Sequence, residues 1–418
     1  MELSKVRIKN FRSIADQEIV LKPGFNLIKG ENGKGKSSIL EAIAVGLGGF
    51  LAGLNGVSTR HFTLDEVRTD FIQVGDGSYG KKHHVPVEVI LTADLYGETY
   101  EWTRSKHSIR SSRSTTQPRD ICRKAEQMAE EPDTELPVLV YLGAGRVWSQ
   151  KREKSENVFR KQYFRTVGYT DCLVEASNIK LLLNWCVKME QIAWQKEKKI
   201  AEYEAVKTAV GKFMDCMEKC SGHQVFYDRQ EEQLMYKFDE KILPIAQLSA
   251  GYQSLIWTVF DIAYRMAVLN PDKRAEIAQT KGIVLIDELD IHLHPRWQWN
   301  VIEALREIFP NVQFIAATHA PVLFASAPNV WLINVDNDKI DYGYSHYGID
   351  VNTSMSVYQG TQEIPEAVKK LVDEFCEMMD REDYEKAGKI LNQLERDTAP
   401  AHPLLIELRT RYDFEKSD

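Results

Sequence analysis

A nine-residue stretch rich in glycine, GENGKGKSS at positions 30–38, constrains the fold of this chain more than any other feature. The runs KVRIKNFRSI and FNLIKG before it have the patterns of short strands, and SSILEAIAVGL after it has a helical pattern. A strand, a glycine-rich turn and the start of a helix, in that order, form the setting of a phosphate-binding loop. The sequence therefore predicts an α/β fold with a phosphate site at this loop.

Each position of the loop has a physical role in the predicted site. Glycines let the backbone curl so that successive N–H groups point at phosphate oxygens, and the helix that follows directs the positive end of its dipole to the same place. We expect Lys36 to reach the β- and γ-phosphates of ATP and the Ser37 hydroxyl to ligate Mg²⁺. The predicted nucleotide-binding residues of the loop are Gly30, Asn32, Gly33, Lys34, Gly35, Lys36, Ser37 and Ser38.

A second motif, KGIVLIDELDIHLHP, begins with an apolar run and ends in polar residues. Residues 282–286 are predicted to form a buried parallel strand, which places Asp287 and Glu288 at its carboxyl end, where α/β sheets bind ligands. We expect Asp287 to hold Mg²⁺ and Glu288 to polarise the attacking water as a general base. His292 and His294 have the spacing of a metal pair, but Mg²⁺ prefers oxygen ligands, so a transition-metal site is not favoured here.

Two further groups of polar residues need an interpretation. The run VQFIAATHAP is predicted to be another strand, with His319 beyond its carboxyl end and on the γ-phosphate side of the same site. Cys216, Cys220 and His223 have a Cys-x3-Cys-x2-His spacing, but no fourth ligand lies near them in the sequence and Cys216 falls on a helical pattern. Structural roles for these three residues are therefore favoured over a zinc site.

A third motif lies between the first two, in LPIAQLSAGYQSLIWTVFDIAYRM. Residues 248–253 resemble the LSGGQ signature of ABC-type ATPases, with Ala250 and Tyr252 replacing two expected residues. Together with KNFRSI, DELDIHLHP and THAP, this signature resembles the RecF, SMC and OLD-like branch of ABC-type ATPases, often described as prokaryotic AAA family ATPases. In organisation the chain is most similar to the ATPases of the Septu antiphage system. The resemblance covers residues 1–60 and 240–335.

The resemblance implies a site shared by two subunits. In ABC heads two ATP molecules lie between two copies, so Ser249 and Gly251 would cap the γ-phosphate in trans. Asp290, in the segment equivalent to the D-loop, would connect the two sites, and Arg12 would contact the nucleotide. ATP hydrolysis would then switch the protein between a closed dimer and an open state. The glutamine of the Q-loop cannot be placed, because the strand LPVLVYLGAGR, ending at Arg146, occupies the comparable position without one.

The fold class implied by the resemblance is an ABC-type P-loop NTPase head with a helical insertion and a small helical C-terminal unit. The predicted parts are an N-terminal lobe (1–175), a helical insertion or short arm (176–240), a C-terminal lobe (241–355) and the helical unit (356–418). The apolar face of 177–217 suits a packed helix and a partner-binding arm equally. The three amphipathic patterns of the tail suggest a docking or oligomer-forming element.

Two charged features bear on nucleic acids. Residues 102–124 contain seven Lys or Arg and one acid, which suits either phosphate binding or a solvated, serine-rich loop. Asp336 and Asp338 form an isolated Asp-x-Asp pair with too little chain behind it for the Toprim nuclease of OLD-type proteins. No intrinsic nuclease is therefore expected.

Composition limits the setting. The 418 residues carry a formal net charge of -8, without the overall basic excess of many nucleic-acid-binding proteins. The longest apolar run, residues 42–54, is shorter than the ~20 residues that span a bilayer, and the first residues do not have a secretory signal pattern. The six cysteines show no disulfide framework. We therefore expect a cytoplasmic protein with reduced thiols and no membrane partner.

These patterns favour an ATP-hydrolysing head that dimerises on nucleotide and controls a separate effector, such as an HNH nuclease in antiphage defence. The alternative is a RecF-like repair or recombination ATPase that binds DNA directly, and DNA or RNA is a possible partner in either case. A transporter ATPase is a third class. Leu289 argues against it, because transporter ATPases usually have proline directly after the glutamate that corresponds to Glu288.

Overall fold

The computed structural model describes residues 1–74, 78–145, 164–175, 179–336, 339–350, 353–355, 364–397 and 403–417. The strands are β1 (Glu2–Phe11), β2 (Ile14–Val20), β3 (Phe25–Lys29), β4 (Thr69–Val74), β5 (Ser78–His83), β6 (Val87–Leu95), β7 (Glu98–Lys106), β8 (Thr115–Gln117), β9 (Val138–Leu142), β10 (Gln224–Asp228), β11 (Gln233–Phe238), β12 (Lys241–Pro244), β13 (Gly282–Ile286), β14 (Val312–Ala317), β15 (Trp331–Asp336) and β16 (Lys339–Tyr344). The α-helices are α1 (Lys36–Leu51), α2 (Asp120–Glu130), α3 (Ile179–Gln195), α4 (Ala201–Glu218), α5 (Ala250–Leu269), α6 (Pro295–Gln298), α7 (Val301–Ile308), α8 (Glu366–Asp380), α9 (Tyr384–Asp397) and α10 (Pro403–Ser417). Short 3-10 helices cover Arg165–Tyr169, Ile245–Gln247, Pro271–Gln279 and Pro321–Phe324.

The chain divides into two compact units, Met1–Ile349 and Asp350–Asp418. The described strands belong to the first unit, and helices α8 to α10 belong to the second. The four-part division predicted from the sequence is finer than this one and stays a prediction.

A six-stranded sheet in the order β16-β15-β3-β14-β13-β9 is the centre of the first unit. Its strands are parallel except for β16, which pairs antiparallel with β15 at the edge. Strands β3, β13 and β14 are buried along their whole length, which is why they read as continuous apolar runs. The strand predicted at 282–286 is confirmed as β13. The carboxyl ends of β3, β14 and β13 are therefore neighbours at one edge of the sheet.

A second sheet, antiparallel and in the order β2-β1-β6-β7-β8, corrects one prediction. The run KVRIKNFRSI was expected to be one strand, but β1 ends at Phe11 and β2 begins at Ile14. The chain reverses at Arg12, whose φ of 49° lies in the left-handed region. Apolar alternation continues on both sides of this tight turn, so the pattern did not show the break.

Helix α1 follows the phosphate-binding loop and packs between the two sheets. Its glycines permit a close approach, since a Cβ atom at Gly46 would lie 2.7 Å from Leu91 and one at Gly49 would lie 2.4 Å from the Trp102 ring nitrogen. That nitrogen donates to the carbonyl oxygen of Gly46 at 2.8 Å. The apolar run at 42–54 is thus core. Across the described residues, no helix is long and apolar enough to cross a membrane.

The segment predicted as a helical insertion, 176–240, contains two helices where one continuous helical region was expected, and it also contains strands β10 and β11. Helix α3 ends at Gln195 and α4 begins at Ala201, with Glu197 between them at a φ of 50°. The apolar face of α4 is buried, and Trp185 of α3 makes edge-to-face contacts with Tyr203 of α4 and Tyr264 of α5. A packed arrangement therefore accounts for this face of α4.

The basic segment 102–124 is not a single loop, because it contains the end of β7, all of β8 and the start of α2. Arg104 and Lys106 have only 1% and 4% of their surface exposed. Arg104 donates to the Thr116 hydroxyl at 2.7 Å and to the carbonyl oxygen of Arg60 at 3.1 Å, and burial lowers its pKa to about 10. These two cations stabilise the fold, so the segment presents fewer exposed cations than its composition suggests.

The second unit contains the three amphipathic helices that the tail pattern predicts. Their apolar faces meet in a small core of Phe375, Met379, Ala387, Leu391, Leu394, Leu405 and Leu408. Its docking or oligomer-forming role stays a prediction.

Candidate nucleotide site

A cavity of about 250 Å³ lies at the edge of the sheet where β3, β14 and β13 end. It is lined by Asn32, Gly33, Gly35, Lys36, Ser37, Ser38, Asp287, Glu288, Ala317, Thr318 and His319. Three separate stretches of sequence meet here because three parallel strands end side by side. The cavity thus brings together the glycine-rich loop, the acidic strand end and the predicted histidine.

The glycine-rich loop has the backbone conformation that its glycines allow. Gly33 and Gly35 have φ values of 82° and 93°, which side-chain-bearing residues rarely adopt, and α1 begins directly after Gly35. The Lys36 ammonium donates to the carbonyl oxygens of Gly30 at 2.8 Å and Glu31 at 3.0 Å. Burial lowers the pKa of Lys36, and the carboxylates of the site, Asp287 first, partly offset this effect. A buried cation therefore lies in the cradle of the loop.

The two carboxylates after β13 have different environments. Asp287 is 5% exposed, its amide donates to the carbonyl oxygen of Leu142 at 2.8 Å, and its Oδ1 accepts from the Glu288 amide at 3.1 Å. Glu288 is half-buried and has a φ of 47°, an unusual value for a residue with a side chain. Strained backbone of this kind is concentrated at functional sites. Both side chains line the cavity.

His319 lies two residues beyond the end of β14 and lines the same cavity. Burial is the main cause that lowers its pKa, followed by the positive charge of Lys36. The lowered pKa favours the neutral imidazole, which offers one donor and one acceptor nitrogen. Thr318 also lines the cavity and was not predicted, although it belongs to the THAP motif.

Several predicted site residues lie outside the lining of the cavity, and their contacts were not foreseen. The Arg12 guanidinium pairs with Glu41 of α1 at 2.6 Å, although a nucleotide contact was predicted for it. Lys34 pairs with Asp336 at 3.0 Å, so the first acid of the isolated Asp-x-Asp pair lies beside the glycine-rich loop. The second acid, Asp338, lies outside the described residues, as does Arg146. Gly30 contributes a carbonyl oxygen to Lys36.

The signature residues occupy the start of α5 and do not line the cavity of their own chain. Ser249 is exposed and its side chain makes no capping hydrogen bond. Tyr252 donates to Glu218 at 2.6 Å and packs edge to face on Trp297 at 4.7 Å. The signature is therefore fixed by its aromatic neighbour, while Ser249 remains on the surface.

Gly251→Ala is expected to destabilise the fold by about 1–3 kcal/mol. A Cβ atom at position 251 would lie 2.6 Å from the carbonyl oxygen of His292 and 3.2 Å from the Trp297 ring, so backbone would have to move. Thermal unfolding of this variant, compared with Gly348→Ala, where a left-handed φ but no close atom is found, separates crowding from backbone strain. An unchanged melting temperature for Gly251→Ala would contradict the close approach.

The two groups with metal-like spacing, one of cysteines with His223 and one of His292 with His294, include residues that make structural contacts. The His223 Nδ1–H donates to the Asp215 carboxylate at 2.7 Å and the ring stacks on Phe238 at 4.1 Å, while the Cys220 sulfur is 4.0 Å from the other ring nitrogen. His294 caps α6 by accepting from the amide of Arg296 at 3.2 Å. In the part of the chain that the structure describes, no cluster of three or more His, Cys, Asp or Glu side chains could hold a metal ion.

The donor set suits Mg²⁺ bound together with a nucleotide. Mg²⁺ keeps several waters and usually takes one or two carboxylates plus substrate phosphates, so it does not need a cluster of protein ligands. The Ser37 hydroxyl and the Asp287 carboxylate are oxygen ligands that line one cavity with the phosphate-binding loop. The residues present therefore fit the ion that the motifs predict.

Comparison with protein families decides the class of this molecule. A family model described as "AAA domain" matches residues 5–221, more than half of the chain, and a second, "AAA ATPase domain", matches residues 149–324. The chain belongs to the AAA domain family. This AAA family protein has a P-loop ATPase fold of the ABC type, as its motifs predicted, with helices at the C-terminal end.

Curated relatives of this AAA family protein include a retron ATPase and a Septu protein. "Retron Ec83 probable ATPase" from Escherichia coli is 35% identical over 42% of this chain and 34% of its own length. "Septu protein PtuA" from Bacillus mycoides (strain KBAB4) is 27% identical over 77% of this chain and 38% of its own length. The chain thus spans less than half the length of these relatives. The resemblance to Septu ATPases predicted from the motifs is confirmed by this match.

Among solved structures, the SmcHead bound to the C-winged helix domain of ScpA has a TM-score of 0.49 and 16% identity, over 83% of this chain and 98% of that chain. The SMC head domain from Thermotoga maritima has a TM-score of 0.46 and 15% identity, over 82% of this chain and 99% of that chain.

Proposed function

We propose that this chain binds ATP and hydrolyses it with the help of Mg²⁺. The observation that carries the proposal is the single cavity that unites Lys36, Asp287, Glu288 and His319 at the carboxyl ends of three neighbouring strands. Membership of the AAA domain family supports the same activity.

Each residue of the cavity then has a distinct role. Lys36 exchanges the two loop carbonyl oxygens that it now contacts for the β- and γ-phosphates of ATP. Ser37 and Asp287 are the side chains that would hold Mg²⁺, which when bound neutralises phosphate charge. Glu288 accepts the proton of the attacking water, and neutral His319 contacts the γ-phosphate through a ring nitrogen. Backbone amides from Gly33 to Ser38 and the Asn32 side chain complete the phosphate contacts, and Lys34 would join them after releasing Asp336, its partner in this structure.

The proposed dimer places the signature of one copy on the cavity of the other. Ser249 is exposed and lies outside the cavity of its own chain, which suits a contact in trans with the γ-phosphate. Arg12 would contact the nucleotide after releasing Glu41, its partner in this structure. ATP would then favour the closed dimer and hydrolysis the open state.

The biological role that we propose is control of a separate effector in antiphage defence, with an HNH nuclease as the expected class of effector. This role rests on similarity to the Septu and retron ATPases, which the chain matches over part of their length.

Turnover of ATP by the full chain tests the proposed activity. We expect phosphate release with Mg²⁺, loss of release when the ion is chelated, and a decrease of roughly 10²-fold or more in Asp287→Asn, because a neutral amide is a poor ligand for a hard cation. Asp16→Asn is the matched control, since Asp16 pairs with Arg7 on the surface of the second sheet. Turnover that persists without divalent ions, or in Asp287→Asn at the wild-type rate, would contradict the proposed metal site.

A further inference from the structure

Asp290 joins two of the stretches that form the cavity. It lies two residues after Glu288, yet its side chain contacts the segment that follows β14. The same Oδ1 atom accepts a hydrogen bond from the Thr318 hydroxyl and one from the His319 amide, the latter at 3.3 Å. A single carboxylate oxygen therefore holds two successive residues of the histidine segment.

Further hydrogen bonds make this contact the centre of a small network. The Thr318 hydroxyl oxygen accepts from the amide of Ala320 at 3.0 Å, and the Thr318 amide donates to the carbonyl oxygen of Ile28 on β3 at 3.3 Å. The Leu289 amide donates to the carbonyl oxygen of Ala317 at 2.9 Å. Thr318 is 1% exposed. The backbone from 317 to 320 is thus tied to the strand that carries the phosphate-binding loop and to the turn that carries Glu288.

The network holds the backbone that carries His319. Without Asp290 the amide of His319 and the buried hydroxyl of Thr318 would each lose an acceptor, and a buried donor without a partner is costly. The segment would then shift to find other acceptors. Since proton transfer and γ-phosphate contact depend on sub-ångström placement, such a shift would reach the reacting groups.

We propose that Asp290 is a positioning residue that acts within its own subunit: through Thr318 and the His319 amide, it fixes His319 relative to Glu288. This role differs from the link between two sites that the resemblance implies for this position. It rests on the proposed ATPase function and adds the residue that couples the acidic strand end to the histidine.

The role needs an acceptor oxygen and does not need a negative charge. Asparagine at position 290 keeps an Oδ1 that can accept both hydrogen bonds, whereas alanine removes it. Similarly, serine at position 318 keeps the hydroxyl and valine replaces it at nearly constant volume. These two pairs of variants separate hydrogen bonding from charge and from packing.

Steady-state ATP turnover of the full chain provides the test. We expect Asp290→Ala to lower kcat by roughly 10–100-fold with little change in KM, and Asp290→Asn to restore most of the lost kcat. Thr318→Val is expected to lower kcat and Thr318→Ser to restore it. An equal loss in Asp290→Asn and Asp290→Ala would overturn the proposal, because it would show that charge is what matters.

A double-mutant cycle with His319 completes the test. If Asp290 acts through His319, Asp290→Ala should cause no further loss of kcat in a His319→Ala background. Full additivity, or loss of a nucleotide-dependent dimer in Asp290→Ala, would overturn the proposal and favour a contact in trans. Thermal unfolding identifies any variant that fails to fold, in which case Thr318→Val carries the comparison. Absence of turnover in the wild type would instead contradict the proposed function itself.

Discussion

Glu288→Gln is expected to lower the rate of ATP hydrolysis by roughly 10²–10⁴-fold while ATP binding is retained. The amide has nearly the shape of the carboxylate but cannot accept a proton from water. Glu288 lines the cavity together with Lys36 and His319, and its left-handed backbone directs it from the end of β13. In the proposed site the side chain would act on a water molecule at the γ-phosphate, so its loss should affect chemistry much more than binding.

The measurement is phosphate release under saturating Mg-ATP, with nucleotide affinity determined separately by equilibrium binding. Glu303→Gln provides a matched control, because Glu303 is an exposed residue of α7 outside the cavity. A wild-type rate in Glu288→Gln would contradict the assignment of Glu288 as the general base.

Ser249→Arg is expected to abolish the nucleotide-dependent dimer and, with it, most hydrolysis. Ser249 is exposed and makes no side-chain capping bond, so the substitution should leave the fold of the monomer intact. In a closed dimer the long arginine side chain would not fit the space where a serine hydroxyl caps the γ-phosphate, so overpacking would keep the two copies apart. ATP binding to each monomer should persist, since Ser249 does not line its own cavity.

Light scattering with and without Mg-ATP, combined with phosphate release, measures this effect. Gln230→Arg introduces the same side chain at an exposed position of the β10–β11 turn and serves as the control. Normal dimerisation and turnover in Ser249→Arg would show that the signature does not contribute in trans.

The parts of the site that depend on local backbone pattern could be predicted from the sequence. The glycine-rich loop requires glycine at left-handed positions, and β13 requires a fully apolar run because both faces are buried. Polar residues immediately after such strands must lie at the edge of the sheet. The positions of Lys36, Asp287, Glu288 and His319 around one cavity followed from these constraints.

The parts that depend on contacts between distant segments could not be predicted. Nothing in the sequence indicates that Asp290 contacts Thr318, or that the Arg12 guanidinium pairs with Glu41. The basic composition of 102–124 suggested exposed cations, but Arg104 is buried because backbone and hydroxyl oxygens satisfy its donors. Such contacts are tertiary and leave no periodic signal.

The mass of Glu288→Gln particles, measured by mass photometry with and without Mg-ATP, tests most directly whether this AAA family protein is a nucleotide-switched ATPase. We predict that Mg-ATP doubles the mass of the variant, because ATP that cannot be hydrolysed holds the closed dimer, and that removing nucleotide returns the mass to that of the smaller species. A mass that does not respond to nucleotide, in a variant that hydrolyses ATP at the wild-type rate, would contradict both the shared site and the role of Glu288.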